Sequence, residues 1–153
     1  YRRSNFVDHF RLMLATFDFD STLTKPVKKE LPFGGGAFWE ANPDVPNEKV
    51  LDNLRALASD GHEVHVVTTR ERSNCEEVFG FINEHSLPVR DVHFTGGDDK
   101  LPTLQELGSA LHFDDSLEEL ERLSESDQVK GRLVPHPHDK EAHSDKIQKF
   151  ETV

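Results

Sequence analysis

Apolar residues along this chain fall into two rhythms that alternate over most of its length. Residues 11–17 (RLMLATF) form a nearly continuous apolar run, the pattern of a buried strand. Residues 47–60 (NEKVLDNLRALASD) then place Val50, Leu51, Leu54, Leu57 and Ala58 on one helical face, and Gly61 supplies the stop. A second strand is expected over 62–69 (HEVHVVTT). Ser73 with Glu76 three positions on reads as a capping box, opening a helix that buries Cys75, Val78, Phe79 and Ile82. Residues 91–95 (DVHFT) predict a third strand, followed by a short helix near 102–108 and a fourth strand at 110–113 (ALHF). Ser116 with Glu119 is a second capping box, ahead of Leu117, Leu120 and Leu123, and 131–134 (GRLV) predicts a fifth strand.

Strand and helix thus alternate about five times, which predicts an α/β fold with a Rossmann-like parallel sheet of about five strands flanked by helices. The expected organisation is an N-terminal extension over 1–10, one domain over 11–134 and a polar, loosely attached tail over 135–153. One connection is out of scale. Residues 23–46 hold Gly34-Gly35-Gly36, four prolines and Trp39, and a loop of that length in a compact domain usually serves function or is disordered.

Composition narrows the classes of function. The 153 residues suit a single core, and no apolar run approaches the about 20 residues that cross a bilayer. With 18 basic and 29 acidic residues the net charge is −11, which disfavours nonspecific nucleic-acid binding without excluding a local basic patch. Cys75 is the one cysteine, so no intrachain disulfide forms, and no signal-peptide pattern opens the sequence; a cytoplasmic location is expected.

The chemistry gathers at the predicted strand ends. The first strand runs into Asp18-Phe19-Asp20-Ser21-Thr22, the second ends in Thr68 and Thr69, and the fourth ends in Asp114 and Asp115, with Lys100 after the third. In an open parallel sheet ligands bind beyond the carboxyl ends of the strands, at the switch point of the strand order. Were the first, second and fourth strands neighbours, carboxylates, a hydroxyl and an ammonium would converge there. Clustered carboxylates become stable around a hard divalent cation, and Mg²⁺ suits them together with phosphate oxygens. A lysine and a threonine hold a phosphate. This is equipment for phosphoryl transfer.

In order and spacing these residues resemble the haloacid dehalogenase (HAD) superfamily of phosphohydrolases. Its DxDx[TV] motif is matched by Asp18-Phe19-Asp20-Ser21-Thr22, and its strand ending in Thr or Ser by Val66-Val67-Thr68. Its lysine is matched by Lys100 and its acidic pair by Leu111-His112-Phe113-Asp114-Asp115-Ser116. The resemblance implies that Asp18 is the nucleophile, and that Asp20 is the acid and base and binds Mg²⁺ through its backbone carbonyl. It also implies that Thr68 and Lys100 hold the phosphoryl group. Asp115 aligns with the metal-binding acid, with Asp114 in support. Asp20 argues against the dehalogenase branch, whose members lack that acid.

The short intervals between motifs resemble those of capless members. The runs Val66–Glu71 and Phe113–Ser116 are similar to the phosphatase domains of bacteriophage polynucleotide kinases and to small 5′-nucleotidases. That likeness implies a nucleotide or nucleic-acid end as substrate, with Thr69 and Arg70 beside its phosphate. Phe38 and Trp39 would then be available to stack on a base. Plainer readings stand beside these. Asp18 and Asp20 suit a solvated turn, Lys100 beside Asp98 and Asp99 a polar loop, and one of Asp114 and Asp115 a helix cap. Arg70 suits a surface ion pair, and Trp39 an anchor for its loop. His136, His138, Asp139 and His143 suit a solvated tail better than a metal site. A noncatalytic binding module and a phosphoacceptor receiver domain are the alternatives of another class; receivers place the phosphorylated Asp on a later strand.

Overall fold

The computed structural model describes residues 12–137 and 151–153. In chain order these form β1 (Leu14–Phe17), a hairpin of β2 (Val27–Glu30) and β3 (Ala37–Glu40), α1 (Glu48–Ser59) and β4 (Glu63–Thr68). Next come α2 (Glu76–Glu84), β5 (Asp91–Phe94), α3 (Leu101–Leu107), β6 (Ser109–Asp114), α4 (Leu117–Leu123), β7 (Lys130–Leu133) and β8 (Glu151–Thr152). Six strands make one sheet in the order β5-β4-β1-β6-β7-β8, and every pairing in it is parallel. The α/β architecture read from the hydrophobic pattern is the one observed.

Alternate residues of the central strands face opposite layers. Ala15, Phe17, Val64, Val66, Val92 and Phe113 pack with Leu51 and Leu54 of α1 and Val78 and Phe81 of α2. Across the sheet, Val67 and Leu133 pack with Leu104 of α3 and with Leu117, Leu120 and Leu123 of α4. Covering both faces is what a parallel sheet requires, because its crossover helices must lie on them. Phe17 and Phe113 are partners in register and stack at 4.3 Å, which sets the ends of β1 and β6 side by side.

Three expectations change, and one falls outside the described residues. The segment 23–46 is not an irregular loop: β2 and β3 pair antiparallel, and Thr24 bridges to Pro46 at the base. Gly34 and Gly36, at φ of 72° and 97°, supply the left-handed turn that closes this hairpin. The sheet gains a sixth strand, because Glu151 and Thr152 of the expected tail pair with β7. Residues 1–11 and 138–150, and with them His138, Asp139 and His143, lie outside the described residues. Finally, α2 starts without a Ser73 cap: residues 72–74 form a 3₁₀ turn, and Asn74 N–H donates to the Glu71 carbonyl instead. The buried face of α2 is turned toward Phe81, with Val78 and Ile82 still against the core as expected. Phe79 stays at the surface against the edge of Phe94, and Cys75 is only partly buried. No helix among the described residues is long and apolar enough to cross a membrane.

The rotation of α2 is measurable. Phe81→Ala is expected to cost about 3–5 kcal/mol in urea unfolding, as for a fully packed aromatic. Phe79→Ala should cost clearly less, and the reverse ranking would restore the helix face read from the sequence.

Candidate active site

The site is built on the turn after β1. Asp18 N–H donates to the Phe113 carbonyl at 2.8 Å, so the ladder to β6 continues one residue beyond the strand. The chain then turns at once: Thr22 and Leu23 N–H both donate to the Phe19 carbonyl, and Ser21 takes a φ of 61°. This turn points Thr22 back at Asp18. Thr22 Oγ1 donates to Asp18 Oδ2 at 2.9 Å and lies 3.3 Å from Asp115 Oδ1. Phe19 and Leu23, both fully buried, anchor the turn in the core.

Lys100 closes the centre from the far side. It stands at the start of α3, and its side chain runs inward to an exposure of only 2%. Nζ donates to Asp18 Oδ1 at 2.7 Å and to Asp114 Oδ2 at 2.8 Å. The polar-loop reading of this lysine is therefore excluded. Behind Asp114, His112 Nε2 lies 2.9 Å from the same Oδ2, and Thr16 Oγ1 lies 2.7 Å from His112 Nδ1 and 2.8 Å from Ser109 Oγ. Facing a carboxylate, His112 must present Nε2–H, so Nδ1 accepts from Thr16. Asp114 Oδ1 accepts from Ser116 N–H, and Ser116 Oγ caps α4 by accepting from Glu119 N–H.

These contacts separate the acidic pair. Both oxygens of Asp114 are committed to protein donors, whereas Asp115 stands at the crevice with a single hydroxyl near it. Oxygens of Asp18, Asp114 and Asp115 all lie within 4.8 Å of one another, a donor set suited to a hard divalent cation. The electrostatics agree with that division. Burial and the neighbouring carboxylates of Asp18 and Asp114 hold Asp115 well above the ordinary carboxyl range. Burial and Asp114 also raise Asp18, although Lys100 opposes them. Burial would likewise raise Asp114, but Lys100 and His112 outweigh it and hold this carboxyl low. Burial would lower the Lys100 ammonium, and the two carboxylates more than reverse that.

The other expected residues form a second group. Asp20 is gripped in a fork by Arg70, with Nε to Oδ2 at 2.8 Å and Nη2 to Oδ1 at 2.9 Å. Arg70 also donates to Glu77 at 2.8 Å and lies 5.2 Å over the Phe19 ring. Its carboxylate partners, Asp20 foremost, keep its guanidinium firmly charged. Thr68, buried at the end of β4, accepts the Arg70 N–H at 3.2 Å, while Thr69 is exposed. Gly97 N–H donates to the Thr69 carbonyl and Gly96 N–H to that of Arg70, tying the turn that leads to Lys100 to the end of β4. Sequence reasoning missed His112 and Thr16. The alternation in 110–113 did show that His112 occupies the face opposite Phe113, the one signal available for it.

No family model matches this sequence, and no curated protein matches it. Among solved structures the chain is similar to a Vibrio cholerae protein assigned as a 3-deoxy-D-manno-octulosonate 8-phosphate phosphatase. The likeness has a TM-score of 0.52 at 15% identity, over 93% of this chain and 73% of that one. At that identity the two chains share a fold.

Two outcomes test the electrostatics. Lys100→Met leaves Asp18 and Asp114 buried together, and an expected cost of about 3–5 kcal/mol should be measurable at neutral pH. Asp115 carries the opposite sign. Its raised pKa favours the cation-free fold at acidic pH and turns against it as pH rises through the raised value. Asp115→Asn should therefore raise the melting midpoint at neutral pH, by about 2–4 °C for each kcal/mol relieved. The gain should vanish at acidic pH, and a gain independent of pH would show that crowding at Asp115 is not felt.

Proposed function

We propose that the chain is a Mg²⁺-dependent phosphomonoester hydrolase that works through an aspartyl-phosphate on Asp18. The observation that carries this reading is Lys100, buried between Asp18 and Asp114 with Asp115 beside them. A carboxylate held at a strand end by an ammonium and a hydroxyl is aimed, charged and restrained, as a nucleophile must be. The fold shared with a protein assigned as a sugar-acid phosphate phosphatase is compatible with it.

In this reading Asp18 attacks phosphorus with a carboxylate lone pair not engaged by Lys100 or Thr22, the P–O bond to the alcohol breaks, and a proton from Asp20 goes to the departing oxygen. Asp20 then takes a proton from water, which attacks the same phosphorus and releases orthophosphate and Asp18. Lys100 and Thr68 neutralise and orient the phosphoryl oxygens. Asp20 can act only after Arg70 frees at least one of its oxygens, so Arg70 sets when the acid is available. The donor set fits Mg²⁺: Asp18 and Asp115 would hold it, and Asp114 would act through Lys100. The ion would supply charge neutralisation at the phosphoryl group.

The substrate we propose is a nucleotide or a nucleic-acid terminal phosphate. The support is the resemblance carried by Val66–Glu71 and Phe113–Ser116, and an insertion after β1 consisting of a two-stranded hairpin, with no folded lid domain among the described residues. The lack of a lid also accords with a capless HAD type.

Phosphate release with Mg²⁺ should be measured on nucleotides, phosphorylated oligonucleotides, sugar phosphates and an aryl phosphate. Asp18→Asn should lose turnover by at least about 10³-fold, about 4 kcal/mol of transition-state stabilisation, and EDTA should stop the wild type until Mg²⁺ is restored. Asp20→Asn should fall least on the aryl ester, whose leaving group needs no proton. Activity that survives in Asp18→Asn would overturn the nucleophile assignment.

A further inference from the structure

Behind the carboxylate cluster the sheet buries a line of polar side chains. Ser109, Thr16 and His112 are each at most 2% exposed, as is Asp114 at the end of the line. We propose that His112 is a positioning residue for phosphoryl transfer: by donating to Asp114 it fixes the direction in which Lys100 presents its remaining N–H to the phosphoryl group. This rests on the phosphatase reading above. The Lys100 ammonium has three N–H groups. Asp18 Oδ1 takes one at 2.7 Å and Asp114 Oδ2 a second at 2.8 Å, which leaves one for a phosphoryl oxygen. The direction of that third N–H follows the two carboxylates. Asp18 has to form a bond to phosphorus, so Asp114 is the partner that must stay fixed.

Three donors hold Asp114. Ser116 N–H holds Oδ1 at 3.0 Å, and His112 Nε2 lies 2.9 Å from the Oδ2 that Lys100 also shares. Without the imidazole, Oδ2 has the ammonium alone. The carboxylate is then free to turn about its Cβ–Cγ bond and to carry Nζ away from Asp18. The rest of the line fixes the imidazole in turn. Thr16, in register with His112 across the β1–β6 pairing, has its Oγ1 2.7 Å from Nδ1 and 2.8 Å from Ser109 Oγ. By donating to Nδ1, Thr16 keeps the Nε2–H facing Asp114. Apolar side chains would fill these strand positions without the cost of burying polar groups. Here the chain of partnered groups ends on the carboxylate that anchors Lys100. His112 is fully buried, so it acts through Asp114 and Lys100 and touches no substrate.

Aryl phosphate hydrolysis with Mg²⁺ and the melting midpoint are measured for His112→Phe, His112→Gln, Thr16→Val and the double substitution His112→Phe with Thr16→Val. His112→Phe keeps a ring in the space and removes the donor. Its kcat should fall about 10–100-fold, the usual cost of losing an outer-shell partner, with KM nearly unchanged. His112→Gln returns an N–H near the place of Nε2 and should recover most of that loss. Thr16→Val should lower kcat by less, and adding it to His112→Phe should lower kcat no further, because both act through one imidazole. A wild-type kcat in folded His112→Phe, or losses that multiply in the double variant, would overturn the positioning role. Thr16→Val, nearly isosteric, decides the matter if His112→Phe does not fold: a wild-type kcat there overturns the role as well. Crystal structures read the same point without activity. Lys100 Nζ, 2.7 Å from Asp18 Oδ1 in the wild type, should move beyond about 3.5 Å in His112→Phe and return in His112→Gln. An unmoved Nζ overturns the positioning role even in an active enzyme. A displaced Nζ in a protein whose wild type hydrolyses no ester upholds the hold of His112 on Lys100 and overturns the catalytic reading, so the two failures are distinct.

Discussion

The structure turns on one buried ammonium. Lys100 reaches from the start of α3 to a point between Asp18 and Asp114, and its charge lets two carboxylates share the ends of β1 and β6. Taking three ionised groups out of water costs several kcal/mol for each, and short, hydrogen-bonded pairing is what offsets it. Much of the surroundings is arranged to keep that geometry. Phe17 and Phe113 stack to fix the two strand ends, and the chain from Ser109 through Thr16 and His112 satisfies the remaining face of Asp114. The turn at Ser21 delivers Thr22 to the other oxygen of Asp18. A network in which every buried polar atom has a partner is rigid, and rigidity at Asp18 suits the phosphoryl transfer proposed for it.

The pairing is deliberately incomplete at one place. Asp115 adds a further carboxylate to a centre that already balances one lysine against two acids, and its raised pKa expresses that surplus. A divalent cation removes the conflict, so the same crowding that weakens the cation-free fold would supply affinity for the ion. Asp20 is kept out of this conflict by Arg70. Fork-to-fork pairing with Arg70 commits both of its oxygens, and the proposed acid role would require at least one of them to be released.

Much of the layout was legible in the residues. Continuous apolar runs and 3.6-residue faces marked five of the six sheet strands and the four helices, and the motif spacing singled out Asp18, Lys100, Asp114 and Asp115 before any contact was known. What was misread has local causes. The capping pattern at Ser73 lost to a 3₁₀ turn, and the buried face of α2 centres on Val78, Phe81 and Ile82 rather than on Cys75 and Phe79, a shift of a fraction of a turn. The hairpin over 27–40 carried no strand alternation, since it pairs two mostly exposed strands that face no core.

By itself the sequence determined the class of fold and the residues that carry charge at the strand ends, because periodicity and residue type are local properties. Only the tertiary structure decided which acid does what. Asp114 and Asp115 are adjacent and chemically identical. Asp114 ends the interior strand β6, saturated by Lys100, His112 and Ser116, and Asp115 has only the Thr22 hydroxyl close by among the described residues. The difference arises from side chains 2 to 14 positions away in sequence brought together by strand order. In the same way Arg70 finds Asp20 across 50 positions. Electrostatic partnership depends on distance in space, and that distance is fixed by packing rather than by spacing along the chain.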